Sequence, residues 1–140
     1  GTCIPYVGMY AFGGVVYNVN GNTAFIINIH DQVNTSNHSS ANNIASGLST
    51  NGYSDWYIPS LTDYIDICPQ RYLIDLISSQ NNGVSFFNDN YITSSSVCYS
   101  YQGGYLRFYN ILSCYEVTVS GSCGQFPTNG YLRTIRTHIF

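Results

Sequence analysis

Apolar and polar positions define a hairpin near the start of the chain. Gly13-Gly14-Val15-Val16-Tyr17-Asn18-Val19 is rich in strand-favouring residues, Asn20-Gly21 is a strong two-residue turn signal, and Thr23-Ala24-Phe25-Ile26-Ile27 returns. The polar stretch 31–40 reads as a loop. Ala41, Ile44, Ala45 and Leu48 recur at helical spacing and predict a short helix over 41–48. Gly47 inside it costs about 1 kcal/mol relative to Ala. Pro59-Ser60 opens a second helix, with Ser60 as N-cap and Asp63 three residues on completing a weak form of the capping box. Leu61, Tyr64, Ile65 and Cys68 share a face, Pro69 interrupts, and Tyr72, Leu73, Leu76 and Ile77 carry the helical pattern to Ser79. Asn81-Asn82-Gly83 closes it.

The last third changes character. Short β segments are predicted at 91–95, 105–112, 115–120 and 131–139, punctuated by Gly103-Gly104, Gly121 and Asn129-Gly130. A strand pair, two short helices and then several strands is an α+β order with antiparallel sheets, not βαβ. The whole, residues 1–140, suits a single domain. Within 105–110 the alternation sets Tyr105, Arg107 and Tyr109 on one face and Leu106, Phe108 and Asn110 on the other. Leu and Phe inward would put the tyrosines outward.

Composition narrows the class. Charged residues are only 8% of the chain, lysine is absent, and the four cations are Arg71, Arg107, Arg133 and Arg136. A net charge of −3 with no basic cluster argues against nucleic acid as a partner. No apolar run reaches the roughly 18 residues of a membrane span. With no initiator Met and no signal peptide, Gly1 is read as a processed end or a boundary within a longer protein. The five cysteines form no C-x-x-C pair and no zinc spacing. Two disulfides and one leftover thiol fit an exported protein, and five reduced, buried thiols are the alternative. Cys114 and Cys123, nearby in a loop-rich region, are the expected pair, with Cys3 or Cys98 unpaired.

Two groups of residues invite a functional reading. The first is Asp55-Trp56-Tyr57-Ile58-Pro59. Asp55 has no neighbouring His, Lys or second acid for catalysis, so it is read as capping local backbone N–H groups. Trp56 is read as a plug between helix and sheet, and Pro59 as holding the loop that enters the helix. His30-Asp31 resembles an orienting pair but has no nucleophile placed for it. The second group is the tyrosine-rich last third. Tyr99, Tyr101, Tyr105, Arg107, Tyr115 and Tyr131, among Ser, Gly and Asn, have the composition of an antibody-like paratope, in which Tyr gives wide contact at low entropy cost. Strands also favour Tyr for structural reasons alone.

Gly52-Tyr53-Ser54-Asp55-Trp56-Tyr57-Ile58-Pro59-Ser60 resembles the G-[YW]-x-D-W-R-[LI]-P-[ST] signature of a bacterial and phage lectin-like domain family. Val7–Tyr17 is similar to that family's opening strand, Asn90–Ser95 to its Y-W-[ST]-S segment, Gly104–Tyr109 to its A-W-x-x-x-F strand, and Leu132–Arg136 to its closing V-R-x-V-R. The resemblance spans nearly the whole chain, with Tyr57, Ile92 and Tyr105 departing from the pattern. It implies a C-type-lectin-like fold with long Tyr/Ser/Gly-rich loops. It also implies burial of Tyr105 and Tyr109, the reverse of the register that alternation favours. The family occurs in surface proteins, adhesins and phage receptor-binding proteins, whose target contacts lie in the region corresponding to the tyrosine-rich third. Calcium-dependent sugar binding in lectin-like domains needs Glu-Pro-Asn or Gln-Pro-Asp with Trp-Asn-Asp, which do not occur here, and Asn88-Asp89-Asn90 reads as a polar turn rather than a calcium cage. The distantly related formylglycine-generating enzymes use a copper-binding cysteine pair whose spacing Cys114 and Cys123 do not match.

The expectation is a non-enzymatic domain with no cofactor and no metal, on a virion or cell surface, binding a protein or glycan through the tyrosine-rich surface. The alternatives are a structural subunit of an extracellular or viral assembly, as a homo-oligomer or part of a larger chain, and an oxidoreductase of the formylglycine-generating type.

Overall fold

A computed structural model describes residues 4–35, 38–87, 90–95, 97–99, 103–121 and 129–140. Gly21, at φ +59°, and Asn22 turn the chain between β2 (Gly14–Asn20) and β3 (Thr23–Ile27). The two-residue turn thus sits one residue later than the Asn20-Gly21 signal, because Asn20 still pairs with Thr23. With β1 (Tyr10–Ala11) and β10 (Ile135–Ile139) these strands form an antiparallel sheet in the order β1-β2-β3-β10.

The second sheet gathers β4 (Val33–Thr35), β5 (Asn90–Ile92), β6 (Val97–Tyr99), β7 (Gly103–Asn110), β8 (Tyr115–Gly121) and β9 (Gly130–Leu132). Its order is β4-β9-β5-β7-β6, and β8 also pairs with β7. All its pairs are antiparallel except β5 with β9, so the sheet is mixed. The predicted strand over 131–139 is two strands in two sheets, joined by Arg133-Thr134. β4 lies inside the stretch read as a polar loop and pairs with β9, far away in sequence.

Three α-helices complete the described residues: α1 (His38–Gly47), α2 (Leu61–Ile67) and α3 (Arg71–Gln80), the last two joined by a 3-10 turn at Cys68–Gln70. Gly47 is the last residue of α1, not an interior weakness. The capping box at Ser60 is fully formed. Ser60 Oγ accepts from Asp63 N at 3.2 Å, and Asp63 Oδ2 accepts from Ser60 N at 2.8 Å. Pro69, lacking an N–H, falls in the 3-10 turn that separates the two helices.

Both sheets are covered on both faces. Val15, Tyr17, Ile27 and Ile135 of the first sheet pack with Tyr64, Ile67 and Ile74 of α2 and α3. Its other face buries Val16, Ala24 and Ile26 against Trp56. Tyr91 and Tyr109 of the second sheet join the first cluster, while Ile92, Phe108 and Leu132 meet Ala41 and Ala45 of α1. Phe108 is 0% exposed and Tyr109 4%, so β7 is inward-facing on both sides here. Alternation could not decide its register, because both Phe108 and Tyr109 are buried and Arg107 and Asn110 leave one polar residue on each face.

Two arginines of the chain's last segment lock loops to this frame. Arg133, fully buried, donates from Nε to Asp31 Oδ1 at 2.9 Å and from Nη2 to Val84 O at 3.1 Å, with its guanidinium over the Phe86 ring. Tyr91 Oη donates to Asp31 Oδ2 at 3.1 Å and accepts from Phe87 N at 3.0 Å. Arg136 grips Asp55 through two bonds, Nε to Oδ1 at 2.6 Å and Nη2 to Oδ2 at 3.1 Å, and donates from Nη1 to Phe12 O. Asp55 is therefore an ion-pair partner of β10, and its carboxylate also accepts a local backbone N–H.

The bonds from Arg136 hold the Asp55 carboxyl below its ordinary pKa of 3.8. An acid depressed in the folded state stabilises the fold above its unfolded pKa and loses that contribution as pH falls through the folded value. Asp55→Asn is expected to flatten the acid-side decline of the urea midpoint below about pH 5, an effect kept small by the exposure of the carboxylate. An unchanged slope would sink this assignment.

Candidate functional site

The cysteine pairing differs from the expected one. Cys114 is bonded to Cys68, with Cα atoms 5.9 Å apart, and not to Cys123. The reason lies in the β7–β8 turn. Cys114 takes φ +57° and donates its N–H to Asn110 O at 2.8 Å, which brings it beside the 3-10 turn where Cys68 is buried. Cys3 and Cys123 lie outside the described residues. A disulfide is the bond of an oxidising compartment.

Among the described side chains, Arg107 and Tyr131 share one face of the second sheet and Tyr115 lies on the other. Tyr131 pairs with Tyr91, and Tyr91 with Tyr109, so the three share the face turned to α2. The Tyr131 ring is half-buried and stacked on Phe87 at 4.6 Å. Arg107, two residues before Tyr109, lies on that same face and pairs with Glu116 at 3.4 Å. Tyr115 pairs with Asn110, which puts it on the opposite face, where it is 51% exposed. Tyr99 occupies β6 opposite Gly103, and Tyr105 occupies β7 between Val97 and Ser120. Tyr101 lies outside the described residues.

Trp56 is 3% exposed and sits against the first sheet, with Leu48, Phe12 and Met9 packed around its cluster. Its Nε1 donates to Tyr53 O at 3.2 Å and Thr50 O at 3.3 Å. Pro59 is buried, and its carbonyl accepts from Ser94 N at 2.8 Å. His30 is exposed, and Asp31 is committed to Arg133 and Tyr91 rather than to His30. Among the described residues no three His, Cys, Asp or Glu side chains come together as a metal cluster, and no helix is long and apolar enough to cross a membrane.

A cavity that the sequence did not announce opens between α1 and the 56–60 segment, with a volume of about 360 Å3. Asn42 and Ser46 line it from α1, Trp56 and Tyr57 from the segment, and Asp63 and Ser94 from α2 and the end of β5. These residues come from three separate stretches, none carrying a motif for a cleft. Burial raises the Tyr57 phenol pKa, with Asp63 and Asp55 adding to the effect.

No protein-family model matches the chain, and no curated protein matches it.

Proposed function

We propose that the chain is a non-enzymatic binding domain of C-type-lectin-like fold, displayed on a virion or cell surface, that holds a protein or glycan ligand through the tyrosine-bearing β6–β7–β8 region. The observation that carries this reading is the arrangement of β7. Its 108–110 end is fixed between two buried clusters, while its 103–105 end pairs with β6 on one side and β8 on the other. A strand anchored at one end and continued at the other is a rigid mount for adaptable Tyr, Ser and Gly contacts. Cys114, bonded to Cys68, is not free for a copper-binding cysteine pair, which weighs against the oxidoreductase reading.

Tyr99→Ala with Tyr101→Ala is expected to leave the thermal midpoint nearly unchanged and to weaken target binding by about 2 kcal/mol or more, the hot-spot scale. Exchanging 97–131 between related chains and scoring target binding tests whether this region sets specificity. Unfolding of the double variant with no effect on binding would place the ligand surface elsewhere.

A structural subunit is the second reading. Ile65 of α2 and Tyr72 and Leu76 of α3 are exposed apolar residues that a neighbouring subunit would cover. Sedimentation of dilute protein separates the two, because a monomer favours binding and a filament or lattice favours assembly.

A further inference from the structure

We propose that the cleft between α1 and the 56–60 segment binds a neutral saccharide residue, at a site separate from the β6–β7–β8 region. Its volume, about 360 Å3, falls within the roughly 300–1,000 Å3 of small-molecule sites. The space exists because α1 presents only Asn42, Ala45 and Ser46 to it, short side chains at i, i+3 and i+4.

The walls are fixed before any ligand arrives. Ala41 and Ala45 hold α1 in a buried cluster. Tyr57 N donates to Ile135 O at 2.9 Å and Ile135 N to Tyr57 O at 3.0 Å, which ties the segment to β10. Ser94 N donates to Pro59 O at 2.8 Å and closes the remaining side. A pre-ordered site loses little conformational entropy on binding.

The lining chemistry selects the ligand class. Tyr57, 40% exposed, presents the apolar surface of the cleft, backed by the buried Trp56 and Ile58. The Ser94 hydroxyl offers a donor and acceptors, and the Ser46 hydroxyl, which donates to Asn42 O, offers an acceptor. Asp63 Oδ2 accepts from Ser60 N and Ser60 Oγ at 2.8 and 2.9 Å, which leaves Oδ1 out of both bonds. Among the described residues no cationic side chain lines the cleft, so an anion would meet Asp63 without a counter-charge. A hard metal ion would find one carboxylate where it needs a cage of oxygens. A wholly apolar ligand would strip water from the polar groups and replace none of their bonds. A saccharide ring has an apolar C–H face, an edge of hydroxyls that each donate and accept, and no charge.

The test is an NMR titration of the isotope-labelled full chain. The probes are glucose, galactose, mannose and N-acetylglucosamine, with glucuronate and glucosamine as charged controls. The expected result is that at least one neutral sugar moves the Trp56 indole and the Ser60 and Ser94 amides saturably. Ser46 is exposed and donates to Asn42 O within its own helix. Ser46→Trp is expected to fill the cleft and weaken that binding by about tenfold or more, with the circular dichroism spectrum unchanged. Ser94→Ala, which removes only a hydroxyl, is expected to weaken it several-fold and decides the matter if Ser46→Trp does not fold. The Tyr99→Ala, Tyr101→Ala variant is expected to bind the sugar as the parent does, so this site and the proposed function fail independently. Saturable shifts with charged probes only, shifts confined to other residues, no shift at millimolar sugar, or parent-like binding by both Ser46→Trp and Ser94→Ala would each overturn the proposal.

Discussion

Arg133→Met is expected to lower the free energy of unfolding by about 3–5 kcal/mol, the usual result of breaking a buried ion pair from one side. The side chain is fully buried, so its loss strands the Asp31 carboxylate, which is itself almost out of water. It also frees the carbonyls of Val84 and Ser85, which Arg133 Nη2 holds at 3.1 and 3.4 Å. The segment 84–87 should then loosen, and amide exchange at Phe86 and Phe87 should quicken more than in the first sheet. Combining the change with Asp31→Asn removes the stranded charge, so the double variant should lose less than the sum of the single losses. Urea unfolding of the three variants reads this directly. A loss under about 1 kcal/mol for Arg133→Met would mean that the pair contributes nothing to the fold.

Trp56→Ala is expected to cost a similar amount, about 3–5 kcal/mol, for a different reason. Here no charge is exposed to a poor partner. A large ring is removed from between Val16, Ala24 and Ile26, and the surroundings refill the space only in part. Trp56→Phe separates the two contributions of the side chain. It keeps most of the apolar area and loses the indole N–H bonds to Thr50 O and Tyr53 O, so it should cost markedly less than Ala. Parent fluorescence should be blue-shifted and shift red on unfolding. Water-like emission from the folded protein would contradict the burial and return Trp56 to the list of candidate contact residues.

Local signals in the chain spoke for local structure. The hairpin turn was legible to within one residue, and the cap at Ser60 and Asp63 was legible in full, because each is decided by neighbours a few positions apart. What failed was decided at a distance. β4 and β6 are three residues each, too short to show a period, and β4 is a strand only because Gly130–Leu132 pairs with it. Asp55 looked like a turn residue because its partner, Arg136, lies 81 positions on. Cys114 looked paired to its near neighbour in sequence, whereas the turn after β7 aimed it at a helix end. The register around Phe108 and Tyr109 was unreadable for a simpler reason: there α1 covers one side of the strand and α2 the other. As for the candidate site, tyrosine content marked a region without saying which face each ring occupies, and the cleft is a product of small residues, which leave no mark in a hydrophobic pattern.

The Cys68–Cys114 bond has one further consequence, for what a protease can do to this molecule. It encloses α3, β5, β6 and β7 within a covalent ring of 46 positions. A single cut at any point in that ring, β6 and β7 included, would open the ring without dividing the molecule. The two pieces would still run as one band on a non-reducing gel and separate only after a thiol is added. A molecule nicked between Cys68 and Cys114 could therefore keep both pieces attached.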